Sequence, residues 1–427
     1  MKRLSLALLF ILFVLVVTAQ HPVIAPAASP EAAGFSTQRL TRIDKVINEY
    51  VDKGKINGAV ALIVRNGKIA YYKSFGYDDI KAETPLKKDA IFRIASQTKA
   101  ITSVAIMMLY EEGKFMLDDP ISNYIPEFRK PRVLDQYNAK DTTYTTLPAK
   151  REITIRDLLT HTSGIGYAQI GSREATAIYA KAGVVGGIGV DNILLADKMK
   201  ILGTLPIFHQ PGEKFTYGLN TDVLGYLVEV VSGLSLDEFL KTRIFEPLGM
   251  KDTYFYLPKD KQSRLVSLYT EDSIGKAVKM PAQYSLNGTL NRDYPNSDGT
   301  YFSGGGGLSS TIYDYAIFLQ MLLNGGEYNG KRLLAPNTVR MMTMNQIGDI
   351  DRGANKFGLG FGITTAKGSA LLPTQEGTFE WGGMFSTTYW VDPKEKLVAL
   401  IYRNVYPTRY GSLANIYKVL VYQAMVN

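Results

Sequence analysis

Apolar residues recur every three or four positions over residues 37–53. Leu40, Ile43, Ile47 and Val51 can share one face, which predicts an amphipathic helix. The period then changes. Residues 59–64 and 68–75 are two β-rich runs separated by Arg65-Asn66-Gly67. Asn-Gly tolerates positive φ at both positions, so a hairpin is predicted there. A second helix is predicted over 96–112, with Ile101, Val104, Ala105 and Met108 on a core-facing stripe. Over about 118–300 the regularity weakens, and helical stretches at 155–159, 222–232 and 236–244 are joined by long loops bearing Gly, Pro and Tyr. A helix over 312–324 follows, then strands at 358–364, 378–381, 385–391 and 397–402, and a last helix from about 413 to 425. Strands from both chain ends predict one antiparallel sheet flanked by helices, an α/β (α+β) fold. The middle is expected to be a mostly helical insertion packed beside it.

The first residues read differently. Lys2 and Arg3 precede an apolar run from Leu4 to Val17, and Val17-Thr18-Ala19 offers small residues for cleavage. This is the pattern of a secretory signal peptide over 1–19, short for a bilayer span. Residues 20–36 are expected to be a flexible lead-in, and 37–427 one domain. Export without any cysteine fits a secreted or periplasmic bacterial protein better than disulfide-stapled secretion.

Composition narrows the chemistry. The 427 residues carry 48 Lys+Arg against 40 Asp+Glu, a mild +8 with no clustering that would mark a nucleic-acid binder. With no Cys, a thiol nucleophile and Cys-based metal sites are excluded. His21, His161 and His209 are the only histidines, which disfavours a His-rich metal centre. There is no Gly-x-Ser-x-Gly elbow, no His-Glu-x-x-His and no Walker loop. Gly304–Gly307 lack a following Lys-Ser/Thr, so they read as backbone that must approach something closely.

Ser96-Gln97-Thr98-Lys99 opens the second predicted helix. A serine there meets free N–H groups and the positive end of the helix dipole. A lysine one turn on shares its face, and when partly desolvated it can lose its proton near neutral pH. Downstream stand Leu158-Leu159-Thr160-His161-Thr162-Ser163-Gly164, then Tyr217-Gly218-Leu219-Asn220, then Trp381-Gly382-Gly383-Met384. In this order the blocks resemble the serine β-lactamase/penicillin-binding superfamily over roughly residues 30–425. Within it they resemble the class C β-lactamase-like group that includes the family VIII carboxylesterases.

The resemblance implies that Ser96 is the acylated nucleophile and that Lys99 takes or relays its proton. It implies that Tyr217 is a further acid/base, since a phenol beside an ammonium can act as a phenolate. It implies an oxyanion hole of the backbone N–H groups of Ser96 and Met384. His161 is then a packed, hydrogen-bonded residue rather than a base, and His209 a residue of the site rim. No cofactor or metal is implied.

Two departures bear on substrate. Leu219 stands where the family has asparagine, with Asn220 one position late, and Trp381-Gly382-Gly383 replaces Lys-Thr-Gly. An indole in place of a cation removes the partner of a substrate carboxylate and adds a flat apolar wall. Trp381, Gly382, Gly383 and Leu219 are therefore expected to contact substrate, and a small-molecule ester or amide is the expected partner. The alternatives are a β-lactamase or D-amino-acid peptidase, for which Arg403 is a candidate cation, and a penicillin-binding-like receptor without turnover. No coiled-coil or docking element is legible, which favours a monomer.

Overall fold

The computed structural model describes residues 21–189, 192–285 and 289–426. The expected signal peptide over 1–19 lies outside them. Nine strands form the main sheet: β1 (Ala25–Pro26), β2 (Gly58–Arg65), β3 (Lys68–Asp79), β4 (Thr84–Pro85), β5 (Lys356–Phe357), β6 (Gly362–Ile363), β7 (Phe379–Gly383), β8 (Thr387–Asp392) and β9 (Leu397–Tyr402). Their order is β1-β3-β2-β9-β8-β7-β6-β5, with β4 paired to β3. The two chain ends meet in the middle of this sheet, where β2 and β9 run antiparallel with Leu62 opposite Leu400. All pairs are antiparallel except β1 with β3. The predicted turn is present: Arg65 pairs with Lys68 while Asn66 and Gly67 both take positive φ.

The helices that frame the sheet and the site are α1 (Thr37–Asp52), α2 (Thr98–Glu111), α3 (Ile155–Leu159), α4 (Arg173–Lys181), α5 (Leu195–Gly203), α6 (Asn220–Ser232), α7 (Ile312–Leu323) and α8 (Leu413–Gln423). α1 starts at Ser36, whose hydroxyl accepts from the Arg39 N–H at 3.3 Å, a cap that stabilises by about 1 kcal/mol. α1 and α8 cover one face of the sheet, burying Ile43, Ile47, Trp390 and Val421. α2 lies in the core on the other face, and every residue from Thr98 to Leu109 is buried. An amphipathic stripe thus understates α2, which is buried on every side and packs against α6 and the short helix Leu236–Leu240.

One expectation needs correction. Residues 22–36 are not a loose lead-in. Ala25 and Pro26 add an edge strand, Ile24 and Phe35 are buried, and the Asn324 amide donates to the Pro22 carbonyl. The stretch lacks periodicity because each of its anchors is a single residue. Most of the regular structure in the middle is helical, with α3 to α6 and the run 236–248, and beside it stand three two-stranded hairpins, at Arg132–Asn138 with Thr143–Pro148, Tyr269–Glu271 with Ala277–Lys279, and Gln283–Ser285 with Thr289–Asn291. The first is largely solvated, so its strands need no apolar alternation and left no periodic signal. Among the described residues no helix is long and apolar enough to cross a membrane.

Candidate active site

Ser96 sits in a 3-10 turn, Ala95–Gln97, that runs directly into α2. Ala95 before it has φ 43°, a left-handed conformation uncommon for a residue with a Cβ. The turn is pinned by Thr98, whose hydroxyl donates to the Ala95 carbonyl at 2.7 Å and accepts from the Leu308 N–H at 3.1 Å. Ser96 is half-buried and opens onto a cavity of about 590 Å³.

Lys99 lies one turn below, 2% exposed. Its Nζ donates to Ser96 Oγ at 3.4 Å, Tyr167 Oη at 3.1 Å and the Gly305 carbonyl at 2.6 Å. Three acceptors satisfy the three N–H bonds of an ammonium. Burial lowers the Lys99 pKa, but Tyr167, Tyr217 and Asp222 together outweigh it and hold it above the ordinary lysine value. The expectation that Lys99 sheds its proton near neutrality is therefore reversed: desolvation alone would do so, and the electronegative neighbours prevent it.

Tyr217 precedes α6 and is half-buried, with the Lys99 Nζ 4.7 Å from its ring centroid. Its ring also packs on Tyr167 at 5.6 Å and His161 at 4.8 Å. Tyr167 is the residue that the sequence reading missed. It hydrogen-bonds Lys99 and lines the cavity beside Ser96, and burial raises its pKa against the pull of Lys99. Its signal was its position three residues after Gly164, just beyond the Thr-His-Thr-Ser-Gly block and outside any quoted motif.

His161 is buried behind Tyr217. Asn220 Oδ1 accepts from Ser163 Oγ, which turns Asn220 Nδ2 toward His161 Nδ1 at 2.9 Å. Burial, then Lys99 and Arg352, push the imidazole pKa well down. Its placement is that of a packed histidine, and Asn220 serves this packing rather than the cavity. His209 is also packed, with Nε2 2.8 Å from Thr216 Oγ1, and does not line the cavity.

The edge of β7 forms the opposite wall. Trp381, Gly382, Gly383 and Met384 all line the cavity with Ser96. At Gly383 a Cβ would stand 2.3 Å from both the Ile94 carbonyl and Thr387 Oγ1, so only glycine lets this strand approach the Ser96 turn. Leu219 does not reach the cavity. It is fully buried in the main core at the start of α6, because its N–H is held by the Gly166 carbonyl and its side chain points inward. Arg403 is likewise buried and donates to the Tyr410 carbonyl, away from the cavity. The guanidinium against Trp381 is that of Arg352, stacked on Phe215, Phe357 and Trp381 at 5.2–5.4 Å and outside the cavity lining. Val184, Val185, Ile188 and Leu290 complete an apolar chamber in which, among the described residues, no charged side chain takes part.

A buried Ser-x-x-Lys at a helix start, a tyrosine pair over the lysine and a glycine-bearing sheet edge opposite define the class of serine hydrolases with the β-lactamase/penicillin-binding fold. The Beta-lactamase family model matches residues 43–423, and the chain belongs to that family. It is similar to the protein Rv1367c of Mycobacterium tuberculosis, at 36% identity over 370 residues, covering 83% of this chain and 87% of the relative. It is similar to esterase EstB of Burkholderia gladioli, at 29% identity over 394 residues, covering 88% and 94%. Among solved structures it resembles EstCE1, a hydrolase with promiscuous acyltransferase activity, with TM-score 0.76 and 25% identity over 91% of this chain and 99% of that one.

Proposed function

We propose that the protein is an exported carboxylesterase acting through a Ser96 acyl-enzyme on uncharged esters. The observation that carries this reading is the cavity above Ser96, which is apolar, walled by Trp381 and free of charged side chains among the described residues. A free carboxylate, as in a penicillin or a peptide C-terminus, would lose its hydration there without gaining a cation. The relative named as an esterase supports the same reading.

In the proposed reaction Ser96 Oγ attacks the ester carbonyl carbon while its proton passes to the Lys99–Tyr217 pair. The oxyanion is held by the N–H groups of Ser96 and Met384, donors fixed in place before the charge develops. The carbon–oxygen bond to the alcohol breaks, and the pair returns the proton to the departing alkoxide. Water then attacks the acyl carbon, gives its proton to the same pair, and the proton returns to Ser96 Oγ as the carboxylic acid leaves.

Turnover of a short p-nitrophenyl ester beside a chromogenic cephalosporin tests this, with Ser96→Ala as control. The expected result is ester turnover that Ser96→Ala reduces at least ~10³-fold. Fast cephalosporin turnover with negligible ester turnover would overturn the esterase reading, and a burst without steady state would favour a receptor. Cell fractionation of the full chain tests export.

A further inference from the structure

Asp222 is a buried acid that the proposed reaction does not use. It lies in the first turn of α6, five residues after Tyr217, and is fully buried. Its Oδ1 accepts from Ser303 Oγ at 2.6 Å and from the Gly305 N–H at 3.3 Å. Its Oδ2 is buried with no hydrogen-bond partner. A buried carboxylate oxygen left unpaired is costly, and such a cost at a site points to a role other than stability.

The geometry gives that role a path. Gly305 is bound on both sides of its peptide neighbourhood: its N–H goes to Asp222 and its carbonyl accepts from Lys99 Nζ at 2.6 Å. A Cβ on Gly305 would stand 2.3 Å from Asp222 Oδ2, so only glycine lets the turn sit against the carboxylate. One carboxylate therefore fixes the carbonyl that fixes the lysine. We propose that Asp222 is a positioning residue that holds the Gly305 carbonyl on Lys99 and, by its charge, sets the proton balance of the Lys99–Tyr217 pair.

The groups facing this pair are few. Tyr167 comes from the segment after α3, Tyr217 from before α6, Asp222 from α6 itself and Tyr301 from the segment before the glycine turn. His161 stands behind Tyr217, and Lys99 and Arg352 both act on it as positive neighbours. Asp222 is thus the carboxylate among the charges acting on Lys99. Removing its charge makes every proton of the pair leave more easily, so both limbs of the pH profile should move to lower pH.

The proposal rests on the Ser96–Lys99–Tyr217 reading, and the test separates the two. Asp222→Asn keeps an acceptor for Ser303 and Gly305 and deletes the charge. Its kcat/KM profile for a p-nitrophenyl ester is expected to shift to lower pH by about one unit, with no fall in melting temperature. Ser303→Ala keeps the charge and deletes one hydrogen bond. Its kcat is expected to fall several-fold with KM and the profile little changed. A profile for Asp222→Asn that superimposes on that of the unmodified protein overturns the proposal. If Asp222→Asn does not fold, Ser303→Ala decides: unchanged kcat overturns the proposal. If Ser96→Ala retains ester turnover, the catalytic reading itself has failed, whichever way the Asp222 variants behave.

Discussion

The Trp381 indole and the Tyr217 phenol ring face each other with centroids 5.6 Å apart and planes tilted by 46°. The wall that replaces a family lysine is therefore packed directly on the proposed acid/base. Behind the indole stands Arg352, 5.4 Å from the ring and outside the cavity lining, so an aromatic plane lies between its charge and the cavity.

Trp381→Ala should consequently change both binding and catalysis. The loss of one aromatic pair costs about 0.5–1.5 kcal/mol beyond buried area, or roughly 2- to 13-fold. KM for a bulky p-nitrophenyl ester should rise by about that factor, kcat should fall less, and Trp381→Phe should recover most of both. Steady-state kinetics with a short and a bulky ester check this. Equal KM values for Trp381→Ala and the unmodified protein on both esters would remove Trp381 from the substrate wall.

Gly383→Ala addresses the oxyanion hole. Its Cβ would press on the Ile94 carbonyl and on Thr387 Oγ1, each 2.3 Å away, and force β7 off the Ser96 turn. The Met384 N–H moves with the strand. Loss of one aligned oxyanion donor costs about 10²–10³-fold in kcat. KM should change far less, and circular dichroism should establish that the variant is folded. A folded Gly383→Ala with more than half the original kcat would contradict the assignment of Met384.

How much of this was legible in the sequence depends on the reach of each signal. The Asn66-Gly67 turn and the α1 stripe are local, and both stand as read. Ser96 and Lys99 are three residues apart, so helical geometry alone placed them together. Leu219 failed because motif position does not state which way a side chain points at the start of a helix. The Lys99 charge failed because its neighbours, Tyr167, Tyr217 and Asp222, arrive from segments 68 or more residues away. The hairpin at 132–148 left no trace because strands that are largely solvated need no hydrophobic period.

His161 predicts an acid-side loss of stability. Its folded-state pKa lies well below the ordinary value of 6.5, chiefly through burial. The unfolded chain therefore binds a proton that the folded one refuses. This contribution is complete above about pH 6.5 and is lost as pH falls through that value, at up to about 1.4 kcal/mol per pH unit. Urea midpoints from pH 8 to pH 5 should fall, and the slope should be shallower in His161→Asn. An imidazole signal that titrates near pH 6.5 in the folded protein would contradict this.

Alkaline pH should unfold the protein cooperatively, for the opposite reason. Tyr179, Tyr301, Tyr315, Tyr389 and Tyr417 are buried, and desolvation raises the pKa of each. Tyr294 is pushed up to about 12 by burial, with Arg93 pulling against it. In each case the folded state keeps a proton that the unfolded chain gives up near pH 10. Their stabilisation is present in full below about pH 10 and is lost as pH rises beyond it; for Tyr294 the window closes near 12. Lys99, also raised in the folded state, adds loss of the same sign above its own ordinary value. Several such groups act together, so the fall should be steep. Urea midpoints should hold from pH 8 to about 9.5 and then drop, and the phenolate absorbance of these tyrosines should appear with loss of near-ultraviolet dichroism. Full phenolate absorbance from all 27 tyrosines in a protein that keeps its near-ultraviolet spectrum would show that these phenols are not held from water by the fold.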